Sequence, residues 1–77
     1  MNPEPQLKVH LLELELKQII ESILSKYKDD DFTYEQLNEY LGHLVETLKF
    51  FSKQGDYDRM QYDLSYAIAF LPLAFPI

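Results

Sequence analysis

Apolar residues recur at three- and four-residue steps through the first third of the chain, at Val9, Leu12, Leu16, Ile19, Ile20, Ile23 and Tyr27. That spacing stacks them on one side of an α-helix. A local stretch, Leu12-Glu13-Leu14-Glu15-Leu16, also alternates apolar and charged residues as a half-buried strand would. The helical pattern extends much further than the alternation, and Leu, Glu, Lys and Gln, all strong helix formers, dominate the segment. It is therefore read as a helix over about 5–28, following Pro3 and Pro5.

Glycine, which punctuates β-rich chains, occurs only at 42 and 55, and neither Asn-Gly nor Asp-Gly is present to mark a hairpin. Lys28-Asp29-Asp30-Asp31 then breaks the pattern, because consecutive aspartates repel one another and favour a solvated turn. Thr33 and Gln36 stand in the spacing of a capping box, with Thr33 the expected cap, and Phe32 and Leu37 in that of a hydrophobic staple. A second helix is expected over about 34–53, carrying the stripe Leu37, Leu41, Leu44, Leu48 and Phe51 and ending at Gly55 as a left-handed cap. Asp56 or Asp58 opens a third helix over about 57–71, with Tyr57, Met60, Leu64, Ala67, Ile68 and Leu71 on one face. Pro72 disfavours helix at the residue before it, so 72–77 is read as an apolar tail. The fold class is all-α: a three-helix bundle of one N-terminal helix and an antiparallel helical hairpin.

Residues 53–72, KQGDYDRMQYDLSYAIAFLP, resemble the turn and second helix of a tetratricopeptide repeat. Gly55, Tyr57, Ala67 and Pro72 match that family's spacing, Met60 occupies its other small position, and Thr47 and Leu48 replace its Leu-Gly pair. The resemblance covers 44–72 only, with no second copy. It implies a hairpin, because an array of such repeats needs several units to bury its faces.

A chain of 77 residues without cysteine supports one domain and one core, with neither disulfide nor thiolate metal site to stabilise it. Thirteen acidic against seven basic residues give a net charge of −6, which repels a phosphate backbone and excludes direct nucleic-acid binding from the reading. No leader is legible in Met1-Asn2-Pro3-Glu4-Pro5-Gln6. The most apolar stretch, 67–77, is interrupted by two prolines and falls short of the roughly 20 residues a membrane span requires. A reducing cytoplasm is the expected compartment.

Chemistry-bearing residues do not assemble into a reaction centre. His10 with Glu13, and His43 with Glu39 and Glu46, have metal-ligand spacing, but on a helical wheel they point away from the leucine stripes, whereas bundle metal sites project inward. Asp29, Asp31 and Thr33 imitate the start of a calcium loop that then places Tyr34 and Tyr40 where Gly and Glu are required. With no Gly-rich cradle, nucleophile elbow or cysteine nucleophile, the expectation is a protein that is not an enzyme and holds no cofactor or metal.

The first and third helices are apolar on two sides. Leu7, Leu11 and Leu14 lie almost opposite the long stripe of the first, and Tyr62, Tyr66 and Phe70 opposite Met60, Leu64 and Leu71 on the third. A three-helix bundle covers one face of each helix, so these six residues are the expected interface. Their cover is the tail, a second copy or another protein. The expected function is a small adaptor, scaffold or inhibitor that binds another protein and self-associates; an alternative is an acidic inhibitor occupying the nucleic-acid site of a basic enzyme.

Overall fold

In a computed structural model that describes residues 4–77, the chain forms α1 (Glu4–Lys26), α2 (Asp31–Lys53) and α3 (Tyr57–Ala74), with no strand among the described residues. Pro3 and the rest of the stretch read for a leader up to that point lie outside the described residues. The all-α three-helix bundle expected from the periodicity is the fold observed. Its shape is elongated, with extents of 46 × 19 × 15 Å.

The core is built mainly between α1 and α3. Val9, Leu16 and Ile23 of α1 interlock with Met60, Leu64, Ala67 and Leu71 of α3, whereas α2 contributes a single buried apolar residue, Leu37. The two outer members of the sequence run parallel, since hydrogen bonds join like ends. The Gln6 amide Nε2 donates to the Tyr57 hydroxyl at 3.1 Å, and the Tyr27 hydroxyl donates to the Pro76 carbonyl at 2.6 Å. Helix α2 returns the chain between them and packs antiparallel on α3, bringing Tyr40 to Phe70 and Phe51 to Arg59. Direct packing of α2 on α1 is sparse, as the long-range contacts fall on the α1·α3 and α2·α3 pairs.

The start of α2 differs from the capping box expected at Thr33 and Gln36. Asp30 is the cap, its Oδ1 accepting from the Thr33 N–H at 3.1 Å and its Oδ2 from the Thr33 hydroxyl at 2.9 Å. The helix therefore begins at Asp31, three residues earlier than the box implied. An aspartate run that looks self-repelling in sequence sets Asp30 and Asp31 against the positive end of a helix, where carboxylates are stabilised. Phe32, the expected staple, is solvent-exposed, while Leu37 is buried without it.

The α2–α3 turn has the expected geometry. Gly55 takes φ 68°, its N–H reaches the Ser52 carbonyl and the Asp56 N–H the Phe51 carbonyl, the paired bonds of a Schellman motif. Asp56 then caps α3 through the Arg59 N–H at 3.2 Å.

Helix α3 does not stop before Pro72. It continues to Ala74, and the Phe75 N–H closes it on the Leu71 carbonyl. Leu71 is fully buried, and its place in the core holds the residue before the proline in helical conformation against its local preference. What remains of the expected tail is Phe75–Ile77, which turns toward the C-terminal end of α1, where Tyr27 bonds Pro76 and Ile77 lies near Ser22 and Ser25.

The Thr33 backbone and side-chain hydrogen bonds hold the Asp30 carboxyl below its ordinary range. A depressed carboxylate stabilises the fold fully above its unfolded value of about 3.9 and progressively less as pH falls through the folded value. Asp30→Ala should therefore lower the melting temperature at pH 7, and the gap from wild type should close below about pH 4. Asp30→Asn, which keeps a neutral acceptor, should show a smaller gap at pH 7 that narrows over the same pH range, because the titrating carboxyl is absent from both variants.

Candidate interaction surfaces

Three surface features are formed by residues that the core leaves over. The first is the outer face of α1. Leu7, Leu11 and Leu14 are 56%, 54% and 45% exposed, on the side of α1 opposite buried Val9, Leu16 and Ile23. The C-terminal residues do not reach them, because Phe75–Ile77 close on the other end of that helix. Their 4-3 spacing makes a short straight seam of three leucines.

The second is the outer face of α3, where the structure revises the expected row. Tyr62 and Tyr66 are exposed, at 71% and 56%, but Phe70 is half-buried. Its ring stacks on Tyr40 of α2 at 5.2 Å between centroids and on Tyr66 at 5.8 Å, so it belongs to the α2–α3 contact more than to the outer face. Leu73, 80% exposed, continues the Tyr62/Tyr66 row instead. Assigning 72–77 to a tail concealed this residue. Once Pro72 is inside the helix, Tyr62, Tyr66, Ala69 and Leu73 follow one another at four-, three- and four-residue steps.

The third lies along α2. Of its leucine stripe only Leu37 is buried; Leu41, Leu44 and Leu48 are half-buried and Val45 is exposed. With α1 they line an open groove of about 270 Å³, walled by Leu16 and Ile20, floored by Leu64 and edged by Glu13 and Lys17. The stripe was legible in sequence, but how far its partner helix stands from it was not.

On its opposite side α2 meets α3 in a smaller cleft of about 200 Å³ lined by Tyr40, His43, Leu44, Thr47, Asp63 and Tyr66. Asp63 Oδ2 is covered there and meets no hydrogen-bond donor. Leaving a buried acceptor unsatisfied costs about 1–3 kcal/mol. Burial, and then the neighbouring Tyr66 and Asp63, push the Tyr40 hydroxyl above its ordinary titration range.

His10, Glu13, Glu39, His43 and Glu46 are all exposed. Among the described residues, no group of three or more His, Asp or Glu side chains is gathered closely enough to hold a metal ion. Nor is any helix long and apolar enough to cross a membrane. Comparison with protein-family models, curated proteins and solved structures returned no match to this chain.

The revised register of α3 has a thermodynamic signature. Phe70→Ala should destabilise the fold by about 1–3 kcal/mol, through lost packing against Tyr40 and the core. Leu73→Ala should change stability by no more than about 0.5 kcal/mol, as surface positions do. Urea unfolding of the two variants checks the assignment, and equal effects would contradict it.

Proposed function

We propose that this chain is a non-catalytic protein-binding module that self-associates through α1 and docks a partner protein on the outer face of α3. The observation that carries the reading is the exposure of Leu7, Leu11 and Leu14 beside a folded core that has no use for them. Three leucines in 4-3 spacing match the repeat by which helices pair side by side, and a two-fold pairing lets the same seam serve both copies. Neither the C-terminal residues nor α2 competes for it.

The α3 face is of a different kind. Tyr62 and Tyr66 combine a large apolar body with a hydroxyl that tolerates water, the balance found where surfaces associate and separate. Leu73 extends it by one turn. The net charge of −6 favours encounter with a basic partner. In this reading the protein acts by scaffolding or occlusion, in the cytoplasm, without cofactor or metal.

Light scattering across a concentration series tests self-association. The wild-type mass should rise from 9.2 kDa toward twice that value, while Leu11→Glu stays at the lower mass with its helical circular dichroism spectrum retained. A wild-type chain that remains monomeric throughout would overturn the α1 assignment. Salt separates the partner readings, because apolar docking tolerates it, whereas occupation of a nucleic-acid site by carboxylates weakens steeply as it rises.

A further inference from the structure

The α2–α3 cleft is the one surface feature with a specific chemical demand. Its floor is the Asp63 carboxylate with Oδ2 unpartnered, and its walls are the rings of Tyr40 and Tyr66, the latter on the face assigned above to a partner. An unpartnered carboxylate attracts a cation, and the tyrosine rings beside it, each stacked on Phe70 through one face, leave the other for a cation to approach.

Among the described residues no ion pair brings a cation to Asp63. Arg59 lies one turn before Asp63 on α3, but its guanidinium Nε is 3.5 Å from Asp56 Oδ2 and its plane lies over the Phe51 ring at 5.5 Å. The lining also holds the imidazole of His43, from α2.

We propose that the cleft formed by Tyr40, Asp63 and Tyr66 receives an arginine side chain of the partner protein. Arginine fits better than lysine, because a planar guanidinium can lie against a tyrosine ring while its edge donates to a carboxylate; an ammonium ion is more strongly hydrated and has no plane to stack. In the proposed complex the exposed Tyr66 side chain turns aside to let the guanidinium reach Asp63 Oδ2, which is covered in the free chain. The partner is then held in two ways: the Tyr62/Leu73 surface of α3 gives apolar contact, and the α2–α3 cleft fixes where one basic residue must sit. The inference rests on the protein-binding reading of α3 and is independent of self-association through α1.

The test is an NMR titration of the full chain with N-acetyl-arginine amide, with N-acetyl-lysine amide in parallel. Saturable shifts are expected at Tyr40, His43, Asp63 and Tyr66, with affinity for the lysine compound several-fold weaker. Asp63→Asn should weaken arginine binding at least about tenfold, as loss of a charged hydrogen-bond acceptor does. Tyr66→Ala, at an exposed position, should weaken it with the helical melt unchanged. No saturable shift, equal shifts with both compounds, or undiminished binding in Asp63→Asn would overturn the proposal. Leu11→Glu run in the same titration separates the two readings: arginine binding retained in that monomer supports the cleft alone, and self-association without arginine binding overturns the cleft alone.

Discussion

Everything in this fold depends on the packing of α1 against α3 in parallel. Among the described residues seven of the eight buried apolar ones belong to these two helices, and side-chain hydrogen bonds tie their like ends. Parallel neighbours cannot be joined by a tight turn, so a third helix has to carry the chain back. Helix α2 has that task first and a packing task second. Its two buried residues, Thr33 and Leu37, are both in its first two turns. Beyond them it rests on α3 through Tyr40 and Phe51 while its α1-facing leucines stand half open.

That division explains the surplus apolar surface. A symmetrical bundle would draw Leu41, Leu44 and Leu48 inward to meet α1, and they would be covered. Here the strong pair occupies the centre, and each helix keeps something over: a leucine seam on α1, an open row on α2, and tyrosines with Leu73 on α3. The exposed ion pairs, Lys8 with Glu4 and Arg59 with Asp56, add little to stability at such accessibility. Burial in one narrow seam carries most of it.

Sequence periodicity determined what was legible. The helices, the turn at Gly55 and the outward Leu7/Leu11/Leu14 seam all follow from local rules, because each depends on residues within a few positions of one another, while the structure decides for Asp56 between the two aspartates that could open α3. The features that sequence misplaced depend on tertiary context. Asp30 rather than Thr33 caps α2 because the aspartates meet a helix end and not merely each other. Pro72 is accommodated because Leu71 is buried, and that in turn moves Leu73 onto the outer face while Phe70 turns to Tyr40. Which helix pairs with which is not encoded in any one stripe. The likeness of 53–72 to a repeat hairpin captures the turn but gives no account of α1 as the principal partner of α3.

The parallel pair also governs the order in which the chain can organise. The bonds that tie α1 to α3 span 51 and 49 residues of sequence, whereas the α2–α3 contact is local. Loop closure over such a span must precede the reward of burying Ile23 against Leu64 and Leu71, so the contacts that fix the core are the ones whose closure is slowest. The hairpin, quick to meet, has only a thin interface with which to hold itself until α1 arrives. Docking of the first helix onto the last is therefore the step of this topology that carries the largest loop-closure cost, and until it is made the aliphatic faces of Ile23, Leu64 and Leu71 have nothing to cover them.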